Sequence, residues 1–162
     1  MYAPKVHFEA PASSQVESET ARFIAWFHRT GPRGEEPLPA LTRAGIAHLY
    51  FECIHPFEDG NGRIGRAISE KSLAESLGRP TLMALAATIL AQRKSYYEAL
   101  EAVNKHNEIT AWLAWFAGVI LEAQYRTIAL VEFLIDKAKL LDRLKDHRKR
   151  PTLLSITHKW GV

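Results

Sequence analysis

The chain has 162 residues, of which 47% are hydrophobic and 24% charged, with a formal net charge of +3. This composition is typical of a globular protein with a hydrophobic core, and it excludes a disordered chain. No apolar run approaches the ~20 residues of a membrane span. Residues Met1–Pro4 show no charged leader followed by an apolar stretch. A single cysteine, Cys53, excludes a disulfide framework, so we expect a protein of the reducing cytoplasm.

The spacing of the apolar residues predicts an all-α fold. Residues 1–12 are predicted to be an extended lead-in, because Pro4 and Pro11 are unfavourable inside a helix. Ser13 or Ser14 is a suitable N-cap for a first helix. That helix carries an apolar stripe made of Val16, Phe23, Ile24 and Phe27.

Two further helices are predicted on either side of a glycine-rich segment. Residues 41–54 are apolar almost all round, which predicts a central, buried helix. We interpret His48 within it as a hydrogen-bonded core histidine. The next helix is predicted over residues 63–77, with Gly78 and Pro80 ending it.

The remainder of the chain is also predicted to be helical. Residues 82–92 and 94–104 are expected to form two short helices, and from Ile109 the apolar positions keep helical spacing in one long helix or two. The predicted organisation is therefore one helical domain over residues 13–150 and a C-terminal tail over residues 151–162.

Much of the positive charge lies between Arg143 and Arg150. No aromatic interleaving or binding motif accompanies this run, so we interpret it as a solvated helix face or a frayed tail. Neither nucleic acid nor a membrane is an expected partner. The histidines and the cysteine lack the spacing of a structural zinc site, and there is no Walker-type lysine loop.

The segment from His55 to Arg66, with the sequence HPFEDGNGRIGR, has the features of an anion-binding loop. Gly60 and Gly62 allow positive φ and a close approach of a ligand to the main chain, where successive N–H groups form an anion nest. A helix follows, and the free N–H groups of its first turn should point into the same cavity. We expect Phe57 to point inward and pin the loop to the core.

The charged residues of the segment suit a polyphosphate. Arg63 and Arg66 share one face of a helix N-terminus, where the helix dipole disfavours cations unless an anion is bound. Asp59 offers a hard oxygen ligand for Mg²⁺ bridging phosphates. His55 has an unperturbed pKa suited to proton transfer near neutrality.

This segment resembles the signature of the Fic (filamentation induced by cAMP) family, H-x-F-x-(D/E)-G-N-G-R-x-x-R, and matches every defined position. The resemblance covers about residues 6–140. Three flanking segments also resemble the family: Ala47–Phe51 followed by Ile54, Tyr96–Glu101 with Asn104 beyond it, and Val6–Pro11.

The resemblance implies a protein adenylyltransferase, a nucleotidyltransferase that uses ATP and Mg²⁺. Fic proteins typically transfer AMP from ATP to a hydroxyl side chain of a target protein (AMPylation) and release pyrophosphate. By position, His55 would be the general base acting on the target Ser, Thr or Tyr hydroxyl, and Asp59 would hold Mg²⁺ against the α- and β-phosphates.

The resemblance also implies the nucleotide-binding residues. Arg63 would neutralise charge on the β-phosphate side, and Arg66 would hold the γ-phosphate. The anion hole would be formed by Gly60, Asn61 and Gly62, with the Asn61 amide as a further donor to the α-phosphate. Three residues are expected near the adenosine: Tyr96, Tyr97 and Asn104.

Two departures from the family pattern concern target binding and inhibition. Family members usually have a β-hairpin flap ahead of the segment matched by Val6–Pro11, and the lead-in here is interpreted as its remnant, or the chain as a fragment. The nearest match to the family's inhibitory motif, (S/T)-x-x-x-E-(G/N), is Ser13–Ser18, which fails at the last position. We therefore hypothesise that the chain is not self-inhibited, and that any inhibition comes from a partner protein or an upstream region.

Two alternative functions stay open at this point. A Doc-like variant of the same fold phosphorylates its target, but that variant has lysine in place of the second glycine of the loop, and Gly62 favours AMP transfer. The other alternative is a non-catalytic nucleotide-binding regulator or toxin-complex subunit.

Overall fold

The computed structural model describes residues 10–81, 83–106 and 108–149. These residues form helices and connecting turns without a strand, which confirms the all-α prediction. Their helices are α1 (Ser13–Arg29), α2 (Ala40–Ile54), α3 (Asn61–Leu77), α4 (Leu85–Ala91), α5 (Arg93–His106) and α6 (Thr110–Lys149). The lead-in before residue 10 and the predicted tail lie outside the described residues.

The chain divides into two compact units, one ending at Thr127 and the other beginning at Ile128. In the second unit, α6 carries two exposed ion pairs, each between residues about one turn apart: Lys139 with Asp136 and Lys145 with Asp142. The single domain predicted over residues 13–150 stays a prediction. No helix within the described ranges is both long and apolar enough to cross a membrane.

Helix α1 packs against α2 through aromatic side chains. Its predicted serine N-cap is wrong, because the helix begins after Ala12, and no side chain makes a capping hydrogen bond there. Packing compensates for the missing cap. Phe23 and Phe27 are buried in a cluster with three residues of α2: Ala47, Phe51 and Ile54.

Helices α2 and α3 pack closely together and form the scaffold of the predicted loop. Small residues allow this close packing: the Ser69 hydroxyl donates to the Ala44 carbonyl across the interface at 3.3 Å. Buried Arg43 joins three helices, since its guanidinium donates to the Phe27 carbonyl at 2.7 Å, to Ser72 Oγ at 3.1 Å and to Glu75 at 3.0 Å. The loop between α2 and α3 is thus held at both ends by packed elements.

Trp112 of α6 is the centre of the second core cluster. Its side chain is fully buried, its indole N–H donates to the Gly45 carbonyl at 2.9 Å, and its ring stacks on His48. Gly45 allows this approach, because a Cβ there would lie 2.9 Å from Leu113 and 3.2 Å from Phe116. The predicted central position of α2 is therefore confirmed.

Candidate active site

His55 occupies the point where α2 ends. Its φ of 47° and ψ of 55° are left-handed, and it is the one non-glycine residue with positive φ among the described residues. Such a conformation costs about 1–3 kcal/mol and is typical of functional sites. The His55 N–H still donates to the Phe51 carbonyl at 3.1 Å, while the imidazole is exposed. The backbone therefore turns sharply at His55 and leaves its ring free for chemistry.

Asn61 fixes the shape of the loop. Its side chain is buried and forms a pair of hydrogen bonds with the backbone of Phe57: Oδ1 accepts from the Phe57 N–H at 3.1 Å, and Nδ2 donates to the Phe57 carbonyl. Both polar atoms of the amide are thus used inside the loop. The amide's further role as a donor to phosphate stays a prediction.

The expected inward position of Phe57 is wrong. The side chain is 51% exposed, although its ring lies 6.4 Å from that of Phe51. The buried amide of Asn61 does the pinning instead. Short polar side chains readily form such local hydrogen bonds with the backbone, and this one removes the need for an apolar pin.

Gly60 is the N-cap of α3 and has the left-handed conformation, with φ of 92°. Its carbonyl accepts from the N–H groups of Arg63 and Ile64, each at 3.0 Å. In the part of the chain that the structure describes, the N–H groups of Asn61 and Gly62 have no acceptor. Two unpaired amides at a helix N-terminus are available to an anion, and the predicted anion site at this turn stays a prediction.

Asp59 and Arg63 form an exposed ion pair at this turn, with 2.8 Å between Asp59 Oδ2 and Arg63 Nη2. No group of three His, Cys, Asp or Glu residues placed to hold a metal occurs in the described ranges. Asp59 offers one carboxylate, and its role as a Mg²⁺ ligand stays a prediction. Mg²⁺ commonly takes one or two carboxylates together with phosphate oxygens and water, so Asp59 fits a Mg²⁺ that arrives with a nucleotide.

Arg66 lies one turn into α3 and is half-buried. Its NH1 would be 3.3 Å from a Cβ on Gly62, so the guanidinium lies against the glycine turn. Within the described residues it forms no ion pair shorter than 4.0 Å. Its charge nevertheless acts on two nearby carboxyl groups, Glu52 and Glu70, by lowering their pKa values against the effect of burial.

The residues expected near the adenosine lie on α5. Tyr96 is buried, and its hydroxyl is hydrogen-bonded to His48 Nε2 at 3.1 Å, which confirms the interpretation of His48 as a core histidine. Tyr97 is 55% exposed, with the Arg93 guanidinium 5.7 Å from its ring centroid. Asn104 belongs to α5, but its side chain is outside the described part of the structure. All three assignments stay predictions.

The sequence analysis missed a buried polar cluster behind the loop. Glu52 is only 12% exposed, and its Oε1 lies 4.0 Å from His48 Nε2. Burial lowers the pKa of His48 to about 4 and raises the pKa of Glu52. The signal was present in the sequence, because Glu52 is a charged residue inside a helix predicted to be buried on nearly all sides.

Comparisons with known proteins agree with this geometry. Residues 2–73 match the sequence model of the Fic/DOC family. A probable protein adenylyltransferase of Aquifex aeolicus is 35% identical over 69 residues, which are 43% of this chain and 20% of that protein. The protein adenylyltransferase Fic of Nematostella vectensis is 29% identical over 107 residues, which are 66% of this chain and 23% of that protein.

A solved structure gives the same result. The crystal structure of a Fic family protein from Desulfovibrio desulfuricans superposes with a TM-score of 0.65 at 25% identity, over 75% of this chain and 35% of that one. The chain is thus similar to the Fic/DOC family, in sequence over residues 2–73 and in fold over a larger part of its length. It spans about a fifth of the length of the curated relatives described above.

Proposed function

We propose that this chain is a Mg²⁺-dependent protein adenylyltransferase, which transfers AMP from ATP to a hydroxyl side chain of a target protein. The observation that carries the proposal is the pair of unpaired amides at Asn61 and Gly62, in the same loop as the exposed imidazole of His55. The names of the relatives from Aquifex and Nematostella support the same activity.

His55 is the proposed general base. Its imidazole accepts the proton of the target hydroxyl as the hydroxyl oxygen attacks the α-phosphorus. A new bond forms between that oxygen and phosphorus, the bond from the α-phosphorus to the bridging oxygen breaks, and pyrophosphate leaves. The left-handed backbone at His55 turns the ring off the end of α2, which makes it accessible to a target side chain.

The anion site receives the triphosphate. The amides around Gly60, Asn61 and Gly62 stabilise charge on the α-phosphate, and Arg63 and Arg66 bind the outer phosphates. Asp59 would hold Mg²⁺, which supplies charge neutralisation for the α- and β-phosphates. Binding of the nucleotide requires the exposed Asp59–Arg63 pair to open, and an exposed pair of this kind is worth only about 0.2–1 kcal/mol.

The adenosine is proposed to lie beside α5. Exposed Tyr97, with Arg93 near its ring, offers a surface on which a base can stack. Asn104, which belongs to the same helix, is proposed as a further nucleotide-binding residue. Buried Tyr96 would support the site indirectly, through its hydrogen bond with His48.

We further propose that the chain does not inhibit itself and that a partner protein supplies any inhibition. Glu17, in the segment nearest to the inhibitory motif, is part of α1, and no ion pair shorter than 4.0 Å joins it to Arg66. Arg66→Glu should abolish ATP-dependent labelling, whereas Glu17→Gly should leave it unchanged. Strong activation by Glu17→Gly would show that α1 is inhibitory.

The test of the proposed activity is incubation with Mg²⁺ and ATP labelled in the α-phosphate. The wild-type chain should label itself or a protein in a lysate, and His55→Ala should remove the label while nucleotide binding persists. His28→Ala is a matched control, because His28 belongs to the last turn of α1 and should not affect labelling. A nucleotide that binds to the wild type but is never transferred would favour a non-catalytic regulator.

A further inference from the structure

Glu52 has a buried carboxylate oxygen without a hydrogen-bond partner. Its Oε1 is shielded from solvent, and no donor contacts it in the described part of the structure. An acceptor buried without a partner costs about 1–3 kcal/mol, and more when it is charged. Such a group calls for an explanation beyond packing.

The carboxylate lies against the glycine face of α3. A Cβ on Gly65 would be 2.7 Å from Glu52 Oε1, so this close contact depends on glycine. A Cβ on Gly62 would be 3.8 Å from the same oxygen and 3.3 Å from Arg66 NH1. The Glu52 carboxylate and the Arg66 guanidinium therefore approach the same point on the first turn of α3.

Arg66 is a permanent cation that acts on Glu52 from within the packed helices α2 and α3. His48 is uncharged near neutral pH, because burial lowers its pKa to about 4. The Tyr96 hydroxyl is already hydrogen-bonded to His48. Two residues lower the pKa of Glu52 against the effect of burial: His55, the larger influence, is exposed in the loop, whereas Arg66 is half-buried against Gly62.

We propose that Glu52 is a positioning residue that holds the Arg66 guanidinium toward the γ-phosphate when ATP binds. The orphan carboxylate oxygen accepts a hydrogen bond from one edge of the guanidinium, and the other edge donates to the phosphate. Arginine can serve two acceptors in this way because its five donors lie in one plane. This inference rests on the proposed function, in which Arg66 binds the γ-phosphate.

The experiment measures the dissociation constants of ATP and ADP by calorimetry, with Mg²⁺ present, for the full chain. The ratio of the ADP constant to the ATP constant is the preference for ATP, and it measures how strongly the protein binds the γ-phosphate. Glu52→Gln keeps the shape and an acceptor oxygen but removes the charge. It should lower the preference for ATP by about tenfold, the difference between a charged and a neutral hydrogen bond. Arg66→Ala should lower it at least as much, and the double variant should lose no more than Arg66→Ala alone.

Glu70→Gln is the matched control. It removes the same charge beside the same arginine, but Glu70 lies outside the buried cluster, so the ratio should change by at most about twofold. If Glu70→Gln lowered the preference for ATP as much as Glu52→Gln, the effect of Glu52 would come only from its charge and not from a specific contact. That result would overturn the proposal. An unchanged ratio in Glu52→Gln, or additive losses in the double variant, would also overturn it.

Gly65→Ala gives a second route should Glu52→Gln fail to fold. It leaves every charge in place but displaces the Glu52 carboxylate, and it should lower the ATP preference in the same way. An unchanged preference would contradict the positioning role.

A wild-type chain that binds ATP and ADP equally would overturn the inference. The proposed AMP transfer is judged separately, by labelling from ATP.

Discussion

Stability should fall in mild acid because His48 is buried as a neutral imidazole. Its pKa is lowered from 6.5 to about 4 by burial, an effect that outweighs the opposing interaction with the Gly65 backbone. Between these two values the unfolded chain binds a proton at His48 that the folded chain does not bind. Stability is therefore lost as pH falls below 6.5. Between pH 7 and pH 5 the loss from this residue alone is about 2 kcal/mol.

The measurement is urea unfolding of the wild type and of His48→Gln at both pH values. The amide of glutamine can still bond Tyr96 but does not titrate, so the variant should lose about 2 kcal/mol less than the wild type over this pH range. Glu52 works in the opposite direction, because burial raises its pKa and its contribution to stability falls as pH rises. The contribution of Glu52 is also present in His48→Gln, so it cancels when the pH dependence of the variant is compared with that of the wild type. Equal acid sensitivity of the two proteins would refute the buried, neutral state of His48.

Two further predictions concern the scaffold. Arg43→Met should lower the free energy of unfolding by about 2–4 kcal/mol, because it leaves the Phe27 carbonyl without its buried donor, whereas Arg29→Met at an exposed ion pair should cost under about 1 kcal/mol. Trp112→Phe should cost about 2–3 kcal/mol through a lost hydrogen bond and a small cavity, about twice the cost of Trp115→Phe. Thermal and urea unfolding check both pairs, and equal costs within either pair would contradict the burial on which they rest.

The helices and the loop were predictable because local signals specify them. Apolar residues on nearly every side of α2 predict its burial, and Gly78 ends α3 in the left-handed conformation that a C-terminal glycine favours. The long C-terminal pattern, left open between one helix and two, is the single helix α6. Glycines and charges of the HPFEDGNGRIGR segment indicated an anion site without any knowledge of the fold.

What the sequence did not reveal depends on contacts between elements. The N-cap position of α1 is Ala12 rather than a serine, because packing of Phe23 and Phe27 on α2 stabilises the helix without a side-chain cap. The role of Asn61 as the residue that pins the loop was hidden, since the same residue type also suits phosphate binding. The proximity of Glu52 to Arg66 could not be predicted, because it arises only when α2 and α3 are packed together.

Gly62 links the structure to the choice of reaction. A side chain at this position would begin 3.3 Å from the Arg66 guanidinium, so glycine leaves room for that cation. Under the proposed function, this room serves the outer phosphates of the nucleotide. The Doc-like variant has lysine at the corresponding position and uses the nucleotide in reverse orientation. We therefore predict transfer of AMP rather than transfer of a phosphoryl group.

The central claim is tested most directly by comparing ATP labelled in the α-phosphate with ATP labelled in the γ-phosphate, under the same conditions and with the same target lysate. We predict that only the α-label becomes protein-bound, that the label depends on His55, and that pyrophosphate is released in equal amount. Protein labelled from the γ-phosphate, or label that persists in His55→Ala, would contradict the account.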